Sequence, residues 1–274
     1  MTARRRCRWR SGSIPAPRGF PPAPLPGPVA PALSGPPARA RRGPVLAATG
    51  IGGTALLGLS LSTRPGSPRF YILTMGLAGT WAAGALSSGP LPLGRPGCRR
   101  GARSVVMPVL TGAAAFGLFY GAARLARHIP PLNRAIGTVL GYADRGSMPL
   151  VLLTASANAV AEEMFFHGAL WSATQQSHPI AATTLAYAAT TAATRNPALV
   201  LAGTATGILF GFQRHTSGGI LAPALSHLTW SILMLTCLPP LYRTPSGRAG
   251  RRAGPRSGAR WQRILLGRPR SPSG

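Results

Sequence analysis

Apolar positions dominate the middle of the chain, in runs long enough to cross about 30 Å of hydrocarbon at roughly 20 helical residues each. They fall near 45–63, 71–88, 105–123, 148–171, 179–194, 197–213 and 219–241. The pattern predicts an all-α fold, a polytopic transmembrane bundle of about seven to eight spans. Runs five and six are short and separated only by Arg195, Asn196 and Pro197. They form either a tight helical hairpin or a partly re-entrant pair. The stretch 134–145 (RAIGTVLGYADR) is amphipathic and too short to span, which suits the membrane interface. Gly203, Gly207 and Gly211 recur every four residues, as do Gly117 and Gly121, a spacing that lets helix backbones approach closely in lipid.

Charge sharpens this picture. Of 274 residues, 30 are basic and 3 acidic, and no lysine occurs, so every basic residue is arginine. Nine arginines lie in 1–43 and nine in 243–274, among Pro, Gly, Ala and Ser. Such ends cannot bury enough apolar surface to fold alone, so 1–43 and 243–274 are expected to be disordered basic tails around a transmembrane domain at 44–242. A formal charge of +27 invites a nucleic-acid reading. No helix-turn-helix or zinc-finger pattern accompanies it, however, and arginine beside a bilayer is explained by anionic lipid headgroups. The expected partner is the lipid bilayer, with no nucleic acid. The opening MTARRRCRWR resembles a signal n-region but lacks the apolar h-region of a secretory signal. Arginine on alternate sides of the spans is nearly balanced, so orientation is not fixed; an even number of spans would put both tails in the cytoplasm. Cys7, Cys98 and Cys237 show neither disulfide nor zinc spacing.

The candidate chemistry is concentrated in two segments. Two of the three acids, Glu162 and Glu163, are adjacent within VLLTASANAVAEEMFFHGALW. A carboxylate at mid-bilayer costs about 2.5–3.5 kcal/mol on insertion scales, and such a residue is a functional candidate. Neighbouring helical positions point about 100° apart, so Glu162 shares a stripe with Asn158 and Phe166 while Glu163 shares one with His167. In GGILAPALSHLTWSILML, His227 and Ser231 lie four apart on one face, after Pro223. His128, His178 and His215 flank loops and are expected at the interface. A buried acid with histidines suits intramembrane proteolysis. An aspartyl dyad is ruled out because Asp144 is the lone Asp, and neither H-E-x-x-H nor G-x-S-x-G occurs. A glutamate base remains.

These residues resemble a family. Glu162-Glu163-Met164-Phe165-Phe166-His167-Gly168 is similar to the E-E-x-x-x-R signature of the CPBP (CAAX protease and bacteriocin-processing, or Abi) intramembrane endopeptidases. Ala222-Pro223 through His227 to Ser231 resembles their H-x-x-x-N signature. The resemblance covers a protease-like core at 148–241. His167 stands in place of Arg and Ser231 in place of Asn, and the intermediate F-x-x-x-H signature is best matched by Tyr187 to Thr191, which has no histidine.

The resemblance implies that Glu162 is the general base and that His227 holds the water or the oxyanion. It further implies that Glu163 with His167 orients the base helix and that Ser231 donates one hydrogen bond to the oxyanion. Members of the family that the chain resembles are described both as metalloproteases and as metal-independent glutamic proteases. The metal-free glutamate mechanism, favoured here, requires no cofactor, whereas a zinc held by three of Glu162, Glu163, His167 and His227 plus water can be assembled on paper. The expected activity is hydrolysis of a membrane-associated peptide or protein, in a multi-pass protein of a bacterial plasma membrane. A non-catalytic relative acting as adaptor, and a proton-linked carrier, are the alternatives; no second copy of the glutamate segment argues for a carrier's repeat.

Overall fold

The computed structural model describes residues 36–94 and 103–242, and everything described is helix, turn or coil. The helices are α1 Pro36–Ser60, α2 Pro68–Ser87, α3 Arg103–Ala126, α4 Pro130–Arg145 and α5 Met148–Glu162. The last runs without a break into a π-helical segment, π1 Glu163–Leu170, and a final turn, α6 Trp171–Thr174. Then come α7 Pro179–Ala192, α8 Pro197–Ser217, α9 Leu221–Cys237 and the short α10 Pro239–Tyr242. The bundle is all-α, as the apolar runs predict.

Proline and small polar residues punctuate the chain. Proline occupies the first or second position of α2, α4, α5, α7 and α8, where its missing N–H has no helical partner to lose. Ser67 caps α2 through Phe70 N, and Asn196 caps α8 by accepting from the amides of Ala198 and Leu199. Gly218, at φ 70°, closes α8 in the left-handed conformation. Helices α7 and α8 pack along each other across the Arg195 turn, so the tight hairpin is the alternative realised.

The number of full spans differs from expectation. Among the described residues four helices are long and apolar enough to cross: Arg41–Ser60, Pro68–Ser87, Ser104–Ala126 and Leu221–Tyr242. At 1.5 Å per residue, the 14 residues of α7 reach only about 21 Å. The run at 148–171 is long enough but carries the two glutamates and changes helix type midway. Helix α8 ends in a buried Arg214. Residues 36–43, expected in the basic tail, begin α1 instead; the rest of both tails, with Cys7 and Cys98, lies outside the described residues.

The core of the bundle is aromatic. Trp81 of α2 is fully buried, 4.7 Å from the ring of Phe165 and 5.1 Å from that of Phe166. Gly53 makes room for it, since a Cβ there would stand 2.3 Å from the indole. The small-residue repeats divide in their use. Gly203, Gly207 and Gly211 face Tyr187 and Thr191, Thr184, and Ile180, forming the seam with α7. Gly117 and Gly121 face open space, contrary to the expected close helix packing. Helix α3 packs through its opposite face, where a Cβ on Gly112 would lie 2.4 Å from the Ser226 carbonyl of α9.

Helix α4 matches its amphipathic pattern, burying Ala135, Leu140, Tyr142 and Ala143. The Tyr142 hydroxyl lies 2.6 and 2.8 Å from the carbonyls of Leu61 and Thr63, pinning α4 to the turn after α1. Burial pushes its ionisation above the ordinary phenol value, and Arg145 partly offsets this.

Candidate active site

The change of helix type begins at Glu163. A π turn shifts carbonyls out of the α pattern, and here three consecutive ones are taken up by side chains. The His167 carbonyl accepts from Arg214 Nε at 2.8 Å, the Gly168 carbonyl from Ser172 Oγ at 2.7 Å, and the Ala169 carbonyl from Arg42 Nη2 at 3.1 Å. Arg214 is buried, and its guanidinium lies 5.5 Å from the Trp171 ring centroid. A basic side chain from α8 therefore secures the backbone of π1 from outside.

The two glutamates have different surroundings. Glu163 is 1% exposed. Its Oε2 lies 2.6 Å from His167 Nδ1, one turn along the same segment, and its Oε1 lies 2.9 Å from His227 Nδ1 of α9. A carboxylate only accepts, so both imidazoles present Nδ1–H to it, which fixes their rings and leaves each Nε2 on the far side. His167 Nε2 is buried without a hydrogen-bond partner, 3.8 Å from where a Cβ on Gly211 would stand. The His227 ring is set between Phe210 at 5.1 Å and Trp230 at 5.8 Å.

Glu162 is only half-buried, and its Oε2 accepts a hydrogen bond from the Tyr187 hydroxyl of α7. The Tyr187 ring stands edge-on to Phe166, 4.7 Å between centroids at 86°. Asn158, one turn before Glu162, donates to the Thr74 and Thr154 carbonyls and keeps a buried Oδ1 with no partner. Ser231 is buried one turn beyond His227 on α9. Ser226, the residue before His227, is held between Gln213 Nε2 and the Pro108 carbonyl, 2.7 Å from each.

Glu162, Glu163, His167 and His227 therefore fall into one neighbourhood where α5, π1, α7 and α9 meet, and Ser231 lies one turn further along α9 with no hydrogen bond to any of them. The stripe pairing of Glu163 with His167 holds. His128, His178 and His215 are exposed. Three features escaped the sequence: the bridge from Glu163 to His227, the phenol on Glu162, and Arg214 behind π1. Arg214 carried the only available signal, an arginine directly following an apolar run. The four residues of the zinc set are divided between two partnerships: Glu163 with the Nδ1 atoms of His167 and His227, and Glu162 with the Tyr187 hydroxyl. Among the described residues no group of three or more His, Cys, Asp or Glu is placed to hold a metal ion.

Comparison with known proteins adds one finding. Residues 144–233, from the end of α4 into α9, match the family described as Type II CAAX prenyl endopeptidase Rce1-like. No curated protein and no solved structure matches the chain.

Proposed function

Since residues 144–233 belong to the CAAX protease family, we propose that this integral-membrane protein is an endopeptidase that hydrolyses membrane-associated peptides with a water activated by Glu162. The observation that carries the reading is the unequal treatment of the two carboxylates. Glu163 is sealed in, with both oxygens occupied by histidines, whereas Glu162 is half-buried and engaged at one oxygen by Tyr187. Only Glu162 has an oxygen left to accept a proton from water.

In this mechanism Glu162 Oε1 takes the proton as the water oxygen attacks the peptide carbonyl carbon, and returns it to the leaving nitrogen as the C–N bond breaks. Glu163 holds His227 through Nδ1, leaving Nε2 as the nitrogen offered to the reacting centre. Ser231, one turn further, supplies a hydroxyl donor for the oxyanion. A donor of that kind is worth about 10²–10³ in rate. No step in this mechanism passes through a metal.

The test is cleavage in liposomes. Wild-type and Glu162→Gln proteins, reconstituted with a mixed library of membrane-anchored peptides, are compared by mass spectrometry with and without a chelator. The reading expects products from wild type only, unaffected by chelation. Equal cleavage by Glu162→Gln overturns it.

One observation favours a second reading, a non-catalytic relative. Thr191, at the place of the family's intermediate histidine, turns its hydroxyl back onto its own helix, to the Ala188 carbonyl at 2.9 Å and the Tyr187 carbonyl at 3.2 Å. It brings no acid or base to the glutamates. Absence of cleavage by folded wild type across the library would favour that reading.

A further inference from the structure

We infer that Tyr187 is the positioning residue of the catalytic glutamate, taking over from the neighbouring turn of α7 the place that the missing histidine would fill. The inference rests on the proposed role of Glu162 and extends it. The chain departs from the F-x-x-x-H signature at both ends: a hydroxyl is added at 187, and a histidine is absent at 191. The geometry connects the two departures. Thr191 is turned into its own helix, while the added hydroxyl of Tyr187 donates to Glu162 Oε2.

The ring delivering that hydroxyl is fixed from two sides. Phe166 of π1 packs edge-on against it, and Gly203 of α8 leaves it room, since a Cβ there would stand 3.2 Å from Tyr187 Cδ1. Tyr187 is buried, so water does not compete for the bond. Holding Oε2 fixes the rotation of the carboxylate and aims Oε1 at the water, without Tyr187 touching the substrate. Hydrogen bonds to charged groups are worth more than neutral ones, which sets the scale of the effect.

The experiment compares wild type, Tyr187→Phe, and a protein with 3-fluorotyrosine placed at 187, all reconstituted in liposomes. Phenylalanine keeps the packing against Phe166 and removes only the donor. The expected result is a fall in kcat of about tenfold to a hundredfold with KM within about twofold, in a protein that still melts cooperatively. 3-Fluorotyrosine restores most of kcat. A Tyr187→Phe protein with wild-type kcat overturns the inference while leaving Glu162 as base.

A second readout does not need turnover. Ring-¹³C tyrosine at 187 reports its phenolic C–O stretch in the infrared, in wild type and in Glu162→Gln. The band is expected to move when the carboxylate is replaced by an amide. An unmoved band overturns the inference whatever the activity, whereas a moved band together with equal cleavage by Glu162→Gln locates the failure in the proposed function.

Discussion

Glu162 and Glu163 are covalent neighbours whose substitutions should diverge. Glu163→Gln replaces one of two acceptor oxygens by an amide donor facing an imidazole N–H, so either His167 or His227 loses its partner. A buried group left unsatisfied costs about 1–3 kcal/mol, more when charged. Glu163→Gln is therefore expected to lower the melting temperature in detergent or lipid as well as activity. Glu162→Gln keeps an amide oxygen for Tyr187 and is expected to change stability by about 1 kcal/mol or less while abolishing cleavage. Equal destabilisation by the two would show that the carboxylates share a structural duty. The acids and His167 were legible in the sequence because helical spacing fixes what lies four residues away. The attachment of His227 to Glu163, 64 residues apart, and of Tyr187 to Glu162, 25 apart, were not, because helix order in the bundle decides them.

Between residues and bundle, packing surfaces of single elements make a sharper contrast. The face of α1 at Gly53 closes on Trp81, and Gly53→Ala is expected to cost about 1–3 kcal/mol by overpacking. Gly117→Ala and Gly121→Ala, in open space, are expected to leave thermal stability unchanged or raise it. The spacing of four residues was identical in packed and unpacked repeats, and only the orientation of α3 against α9 distinguishes them. The π segment was equally illegible, since it depends on Arg214 and Arg42 arriving at its carbonyls from α8 and α1. Arg214→Met is expected to reduce kcat with little change in KM, because it releases the backbone that carries His167; unchanged kcat would show that π1 holds itself.

Helix α4 supplies the pH-dependent prediction. The raised ionisation of Tyr142 means that the folded state keeps its phenol proton at pH values where the unfolded chain loses it. Its contribution is complete below the unfolded value near pH 10 and is lost as pH rises through the folded value. Tyr142→Phe is expected to cost about 0.5–1.5 kcal/mol at neutral pH, and the difference from wild type should shrink in alkaline melts. A difference that persists unchanged above pH 10 would assign the loss to packing alone.

For the whole molecule, polarity is arranged from the inside out. Ile51, Ile72, Leu118, Leu153, Leu185 and Leu201 are exposed on six different helices, while the buried set includes Glu163, His167, Arg214 and His227. The long apolar runs made the membrane class legible before any geometry. The span count was less so, because the run holding the two glutamates changes helix type midway and α7 is too short to cross.

The central claim is that water activated by Glu162 attacks the peptide bond directly, and a single turnover in H₂¹⁸O tests this most closely. Enzyme in excess over a cleavable membrane-anchored peptide should give, in its first turnover, a new C-terminal carboxylate carrying one ¹⁸O. A first-turnover product without label would show that a protein oxygen attacks first, and would contradict the account.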